Sequence, residues 1–259
     1  MGFTHHKSLN DASTDRLLER DVSRSRISKE EADHARSFLE PTTSMSDLSA
    51  ADFIIEAVPE IPSLKTQIFS ELATIAPPHA ILATNTSSIS VTKIAASTTP
   101  KGEPTNLEAA ARVVSTHFMN PVPVQKGVEI IAGLQTSQQT LDTAIEFCRR
   151  MGKIPSRSSD SPGFLANRIL MPYLNEAISC LETSVGSKED IDNIMRNGTS
   201  VPMGPLQLAD FVGLDTCLAI MEVLHEQTGD SKYRPAVLLR RMVDAGWLGK
   251  KTGKGFHEY

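Results

Sequence analysis

The chain has 259 residues, 40% of them apolar, enough to bury one large core or two smaller ones and with no bias toward disorder or a fibre. Its formal charge of -5 supplies no basic field to hold a phosphate backbone, which argues against nucleic acid as a partner. Cys148, Cys180 and Cys217 are far apart and form neither a disulfide framework nor a metal-ligand spacing, so they read as helix packing residues in a reducing compartment.

Residues 1–50 are polar and weakly periodic; the most they suggest is a helix closing over 35–39 and stopped by Pro41. Ser and Arg are frequent over 13–36, as in a transit peptide, but Asp15, Glu19, Asp21, Glu30, Glu31 and Asp33 argue against one. No signal core opens the chain, and no run approaches the roughly 20 apolar residues of a membrane span. The expectation is a soluble intracellular protein without a membrane partner. Its end, His257-Glu258-Tyr259, is not a peroxisomal address, so mitochondrial matrix, peroxisome and cytoplasm all stay open.

Phe53-Ile54-Ile55 with Ala57-Val58 predicts a buried strand, and Leu64, Ile68, Leu72 and Ile75 recur at helical spacing until Pro77-Pro78. A second strand over 80–83 runs into the polar cluster 84–88 and a short helix through Ile94. A Pro- and Gly-containing connection over 97–112 precedes Val113-Val114, and 128–131 reads as the next strand. The helix with Leu141, Ala144, Ile145 and Cys148 closes at Gly152. The polar run 156–159 stands where a partly apolar strand is expected and predicts a weakened domain edge. This alternation predicts an α/β fold with a mostly parallel sheet. From Pro162 onward only helical periodicity remains, over 164–181, 188–195, 205–210, 215–227 and 235–245. The division is therefore 1–160 for the sheet domain and 161–259 for an all-helical C-terminal domain.

Four clusters lie at predicted strand ends or helix starts, where open α/β sheets place ligands. In N-T-S-S-I (85–89), Asn85 and its neighbouring hydroxyls can bond a carbonyl, a hydroxyl or a nicotinamide amide; a helix cap by Ser or Thr is the alternative. In H-F-M-N-P (117–121), His117 leaves a short apolar strand. Glu129 on the following strand could bond one ring nitrogen and make the other a better base, where a lone strand-end histidine would be structural. Asn167 falls in the first turn of a helix prepared by Pro162, with its amide either toward the sheet or in a domain-to-domain hydrogen bond. G-K-K-T-G-K-G-F (249–256) reads as a mobile cationic loop for a phosphate or ribose, or as a solvated tail.

Taken together, D-F-I-I-E-A-V-P-E, N-T-S-S-I, H-F-M-N-P-V-P, G-V-E-I-I, P-G-F-L-A-N-R-I-L-M-P-Y-L-N-E-A, P-M-G-P-L-Q-L-A-D-F-V-G-L-D and K-K-T-G-K-G-F resemble, in order and over about 51–259, the L-3-hydroxyacyl-CoA (3-hydroxybutyryl-CoA) dehydrogenase family. The resemblance implies a Rossmann-type domain followed by a helical dimerisation domain. It also implies NAD-dependent interconversion of a short-chain (S)-3-hydroxyacyl-CoA and its 3-oxoacyl-CoA in fatty-acid metabolism, with an acyl-CoA substrate, a homodimer and no metal. Residue by residue, it makes His117 the base and Glu129 its orienting carboxylate. Ser87 and Asn167 hold the substrate oxygen, and Glu60, Lys65, Asn85, Ser87, Asn120 and Lys251 lie at or beside the cofactor.

That family opens with a strand, a G-x-G-x-x-G turn, a helix and a second strand carrying an acidic residue. The only early glycine here is Gly2. The sequence so read predicts an incomplete Rossmann-type sheet that lacks two central strands and first meets the family just before Ala51. A non-catalytic relative that dimerises or binds acyl-CoA without NAD is one alternative this leaves. Another is an NAD-dependent dehydrogenase of a hydroxy acid without CoA, against which the H-F-M-N-P and P-G-F-L-A-N-R blocks stand.

Overall fold

Apolar runs short enough to be strands alternate with helical repeats through the first half of the chain, and the sheet follows from them. The computed structural model describes residues 6–259. Strands β1 (Phe53–Glu56), β2 (Ile81–Thr84), β3 (Val113–Phe118), β4 (Gly127–Ala132) and β5 (Ile154–Ser159) pair side by side in chain order. All neighbours are parallel except β3 and β4, whose connection is too short for a crossover helix. Helices α3 (Pro62–Ile75) and α4 (Val91–Ala96) cover one face with Phe69, Leu72 and Ile94, and α5 (Gln138–Arg150) covers the other with Ala144, Ile145 and Cys148. With both faces covered, the interior strand β2 is buried at all its residues.

Two expectations change here. The polar run 156–159 does not interrupt the sheet: it forms the edge strand β5, held by backbone pairing to β4, in a position that tolerates its polar side chains and Pro155. The polar stretch before β1, described from His6 on, holds more than the one helix expected to close over 35–39. It forms α1 (His6–Ser23) and α2 (Lys29–Ser37), joined across the hairpin by Arg36 and Asp15 at 2.6 Å. A capping box starts α2: the Glu31 N–H donates to the Ser28 hydroxyl and the Ser28 N–H to the Glu31 carboxylate. The periodicity is weak because little apolar surface is hidden over 14–37, where only Ala32 is buried.

Beyond the sheet, α6 (Ala166–Glu182), α7 (Lys188–Gly198), α8 (Pro205–Val212), α9 (Leu214–Thr228) and α10 (Val237–Asp244) enclose a second core with Leu174, Ile178, Leu206, Met221, Leu224 and Leu239 at its centre. Cys148 and Cys217 are packing residues, their thiols pushed by burial up to about 11 and about 12. Among the described residues no helix is long and apolar enough to cross a membrane.

The C-terminal K-K-T-G-K-G-F segment is folded against the helices, which corrects the reading of it as a mobile loop. Buried Asp210 accepts the N–H groups of Phe256 and His257, both at 2.9 Å, and buried Asp192 bonds the His257 ring at 2.8 Å. The glycines serve close approach. A Cβ on Gly255 would lie 1.9 Å from Asp210 Oδ1, and one on Gly249, at φ +90°, would lie 2.3 Å from the Asp210 carbonyl oxygen.

Candidate active site

The antiparallel register of β3 and β4 sets His117 directly opposite Glu129, so the two side chains emerge side by side on one face of the sheet. Both are buried, and Nδ1 of His117 lies 2.8 Å from Glu129 Oε2. The other oxygen, Oε1, accepts the N–H groups of Leu165 at 2.8 Å and Ala166 at 2.9 Å, the first donors of α6. A helix start has N–H groups without intrahelical partners and a partial positive charge, and a carboxylate answers both. Burial alone pushes the Glu129 carboxyl up. The His117 bond and the two backbone donors outweigh it and hold the group below the usual carboxylate range. An ionised carboxylate can only accept, so Nδ1 carries the hydrogen and the lone pair of the neutral ring is on Nε2. Among the described residues Nε2 has no protein partner.

The turn into α6 locks this arrangement. Gly163 (φ +72°) and Phe164 (φ +49°) take left-handed conformations, and a Cβ on Gly163 would meet Leu224 Cδ2 at 2.7 Å. Phe164 enters the core of the sheet region and lies edge-on to the His117 ring, with centroids 6.0 Å apart. In the first turn of α6, Asn167 Nδ2 reaches the Ser87 carbonyl at 3.4 Å, a long bond between the two regions.

Ser87 sits in the β2–α4 loop, which Glu60 holds. Glu60 Oε1 accepts the N–H groups of Ser87 at 2.9 Å and Ser88 at 3.0 Å, together with the Thr86 hydroxyl. Burial raises the Glu60 carboxyl, but these donors and the Lys65 charge bring it below the usual range. The helix cap foreseen in this cluster belongs to Ser90, whose hydroxyl accepts the Lys93 N–H at 3.2 Å, and not to Ser87. Asn85 ties β2 to β3 by accepting the Phe118 N–H at 2.9 Å.

Lys65 is buried with three acceptors around its ammonium: Glu56 Oε1 at 2.7 Å, the Val58 carbonyl at 3.2 Å and Glu60 Oε2 at 3.3 Å. Its donors are committed inside the loop it supports. Asn120 is exposed in the turn after β3 with its amide uncommitted among the described residues. Lys251 stands in the helical region, held by both oxygens of Asp215 at 2.5 and 2.7 Å, with one ammonium proton left over.

His117, Glu129, Asn167, Ser87 and Glu60 thus form one connected set at the carboxyl ends of β1–β3, with Lys65 behind it and Lys251 outside its bonds. Hydroxyls, amides, a carboxylate and an imidazole with a free nitrogen suit the carboxamide and sugar oxygens of a nicotinamide cofactor. Sequence reasoning missed Glu56, which pairs with Lys65 and accepts the Thr84 hydroxyl at 2.7 Å, and Asp160, which binds the start of α4. A glutamate inside the apolar run F-I-I-E-A-V was the signal for the first. No sequence pattern signals the second, whose partners are about 70 residues away.

Comparison with known proteins gives two family matches: "3-hydroxyacyl-CoA dehydrogenase, NAD binding domain" over residues 5–161 and "3-hydroxyacyl-CoA dehydrogenase, C-terminal domain" over 163–259. The chain is 47% identical over 242 residues to a probable 3-hydroxybutyryl-CoA dehydrogenase of Bacillus subtilis, covering 93% of this chain and 81% of that one. It is 45% identical over 261 residues to the 3-hydroxybutyryl-CoA dehydrogenase of Bradyrhizobium diazoefficiens, covering 97% and 86%. The solved (S)-3-hydroxybutyryl-CoA dehydrogenase of Ralstonia eutropha superposes with a TM-score of 0.91 at 41% identity, over 99% of this chain and 87% of that one. The first match begins at residue 5, so α1 and α2 lie inside the matched domain. This corrects the expectation that likeness starts at Ala51, and it gives no support to a first domain lacking its glycine-rich front.

Proposed function

The chain belongs to the 3-hydroxyacyl-CoA dehydrogenase family, whose NAD-dependent reaction interconverts a 3-hydroxyacyl-CoA and a 3-oxoacyl-CoA, and from that premise we propose that its substrate is a short-chain (S)-3-hydroxyacyl thioester, 3-hydroxybutyryl-CoA first among them. The chemistry that bound NAD would supply is hydride transfer at C3. The protein's part is proton transfer and position. His117 Nε2 takes the proton of the C3 hydroxyl as the alcohol becomes a ketone, and gives it back to the carbonyl oxygen in the reverse direction. Glu129 keeps Nδ1 protonated and stabilises the imidazolium that forms. Ser87 and Asn167 hold the reacting oxygen, and Asn85, Asn120 and the Glu60 loop bear on the cofactor. Lys65 acts through Glu60, and the remaining proton of Lys251 serves a cofactor oxygen.

The single observation that carries this reading is the free Nε2 of a histidine whose other nitrogen is fixed by an ionised carboxylate at the mouth of the sheet. We assign 1–160 to the cofactor domain and 161–259 to a helical domain that dimerises. Exposed Val185 and Ile194, beside an apolar groove of about 440 Å³ between α6 and α7, favour that pairing. The test of substrate class is NADH oxidation with acetoacetyl-CoA beside free acetoacetate. Turnover confined to the thioester supports the reading, and turnover of the free acid at equal rate overturns it in favour of a hydroxy acid without CoA.

A further inference from the structure

Asp160 follows β5 and opens the linker to α6. Its carboxylate accepts the Ser90 hydroxyl at 2.8 Å, the Val91 N–H at 3.0 Å and the Thr92 N–H at 2.7 Å. These donors are the beginning of α4, the continuation of the loop that carries Ser87. On the other side, Glu60 holds the same loop through Ser87 and Ser88. Residues 86–92 are therefore suspended between two carboxylates from different parts of the sheet.

The start of α4 also has no slack. A Cβ on Gly133 would lie 2.9 Å from the Thr92 nitrogen, and the Leu134 N–H donates to the Thr92 hydroxyl at 3.0 Å. The far end of the linker is fastened as well, by Phe164 in the sheet core and by Glu129 on Leu165 and Ala166. Asp160 and Glu129 thus pin the two ends of one linker. The Asn167–Ser87 contact spans the elements they pin.

We propose that Asp160 is a positioning residue for the dehydrogenase reaction. It sets the Ser87 loop against Asn167, so that the oxygen these residues hold meets His117 Nε2. The proposal rests on the reading of Ser87 and Asn167 given above, and it adds a residue that touches neither substrate nor base. Bonds of this kind stabilise the start of a helix. Its value here is catalytic, because misplacing a substrate-holding group by an ångström costs up to about 100-fold in rate.

The test compares wild type, Asp160→Asn and Asp160→Ala as full chains. Two quantities are read: kcat and KM for acetoacetyl-CoA per folded molecule, and amide hydrogen exchange along the chain. In Asp160→Ala we expect kcat to fall roughly 10- to 100-fold with KM changed only a few-fold. Amides of 87–92 should exchange faster while those of Leu165 and Ala166 stay protected. Asp160→Asn, which keeps one acceptor, should recover part of kcat. A kcat for Asp160→Ala within about two-fold of wild type overturns the proposal, as does unchanged exchange over 87–92. A wild type without turnover overturns the dehydrogenase reading and the catalytic part of this proposal with it; whether Asp160 holds the loop is then decided by the exchange data alone.

Discussion

Glu129 joins His117 to Ala166: one carboxylate oxygen bonds the imidazole at 2.8 Å and the other accepts the Ala166 N–H at 2.9 Å, where the helix bearing Asn167 begins. The base and the element that delivers a substrate-holding amide therefore share one anchor. Glu129→Gln keeps the shape but removes the obligate acceptor, so the imidazole loses its enforced tautomer. We predict a kcat lower by about 10² to 10⁴ with modest change in KM, measured as steady-state NADH oxidation with acetoacetyl-CoA. A variant with wild-type kcat would show that the carboxylate is not needed.

Acid stability follows from the same group. The folded-state pKa of Glu129 is depressed, because the His117 bond and two backbone donors outweigh burial. Its contribution is complete above the unfolded carboxylate pKa and is lost as pH falls through the lower folded value. Glu60 and Asp215 act with the same sign. Tm should drop as pH passes below the ordinary carboxylate range, and the drop should be shallower in Glu129→Gln. A Tm that holds through that window would contradict the assignment.

Lys65→Met leaves Glu56 buried without its cation. Removing one partner of a buried pair typically costs about 3–5 kcal/mol, more than the added apolar contact returns. Chemical denaturation of the two proteins measures it. A loss below about 1 kcal/mol would contradict a dry, buried pair.

Gly255→Ala forces a methyl group into Asp210, whose Oδ1 would stand 1.9 Å away. Either the C-terminal segment lifts or the carboxylate gives up its bonds to Phe256 and His257. We expect destabilisation of about 1–3 kcal/mol, read as a lower Tm. An unchanged Tm would show that the segment does not contribute to the fold.

Elements built on apolar periodicity were legible in the sequence. The strand at Phe53, the helix through Leu64 and Leu72 and the helical second half all form, although the strand buries Ile54 and leaves Ile55 exposed, and the helix buries Lys65, Phe69 and Leu72 while Leu64, Ile68 and Ile75 stay half-buried. What was not legible depends on partners distant in sequence. The strand β5 is polar because only its backbone joins the sheet. Helix α2 hides so little apolar surface that its capping box was its one clear signal. The C-terminal glycines read as mobility because Asp210, about 46 residues away, is invisible from the segment itself. Within the site, His117 and Glu129 were legible as a pair because adjacent strands bring 12-residue neighbours together. The commitment of Lys65 to three acceptors inside its own loop was not.

The most direct test of the central claim is His117→Ala beside wild type in NADH oxidation with acetoacetyl-CoA, with matched folding by circular dichroism. A base supplying general catalysis predicts a loss of about 10² to 10⁴ in kcat and little change in KM. Equal turnover by the two folded proteins would contradict the account, because the free nitrogen of His117 would then not be the group that moves the proton.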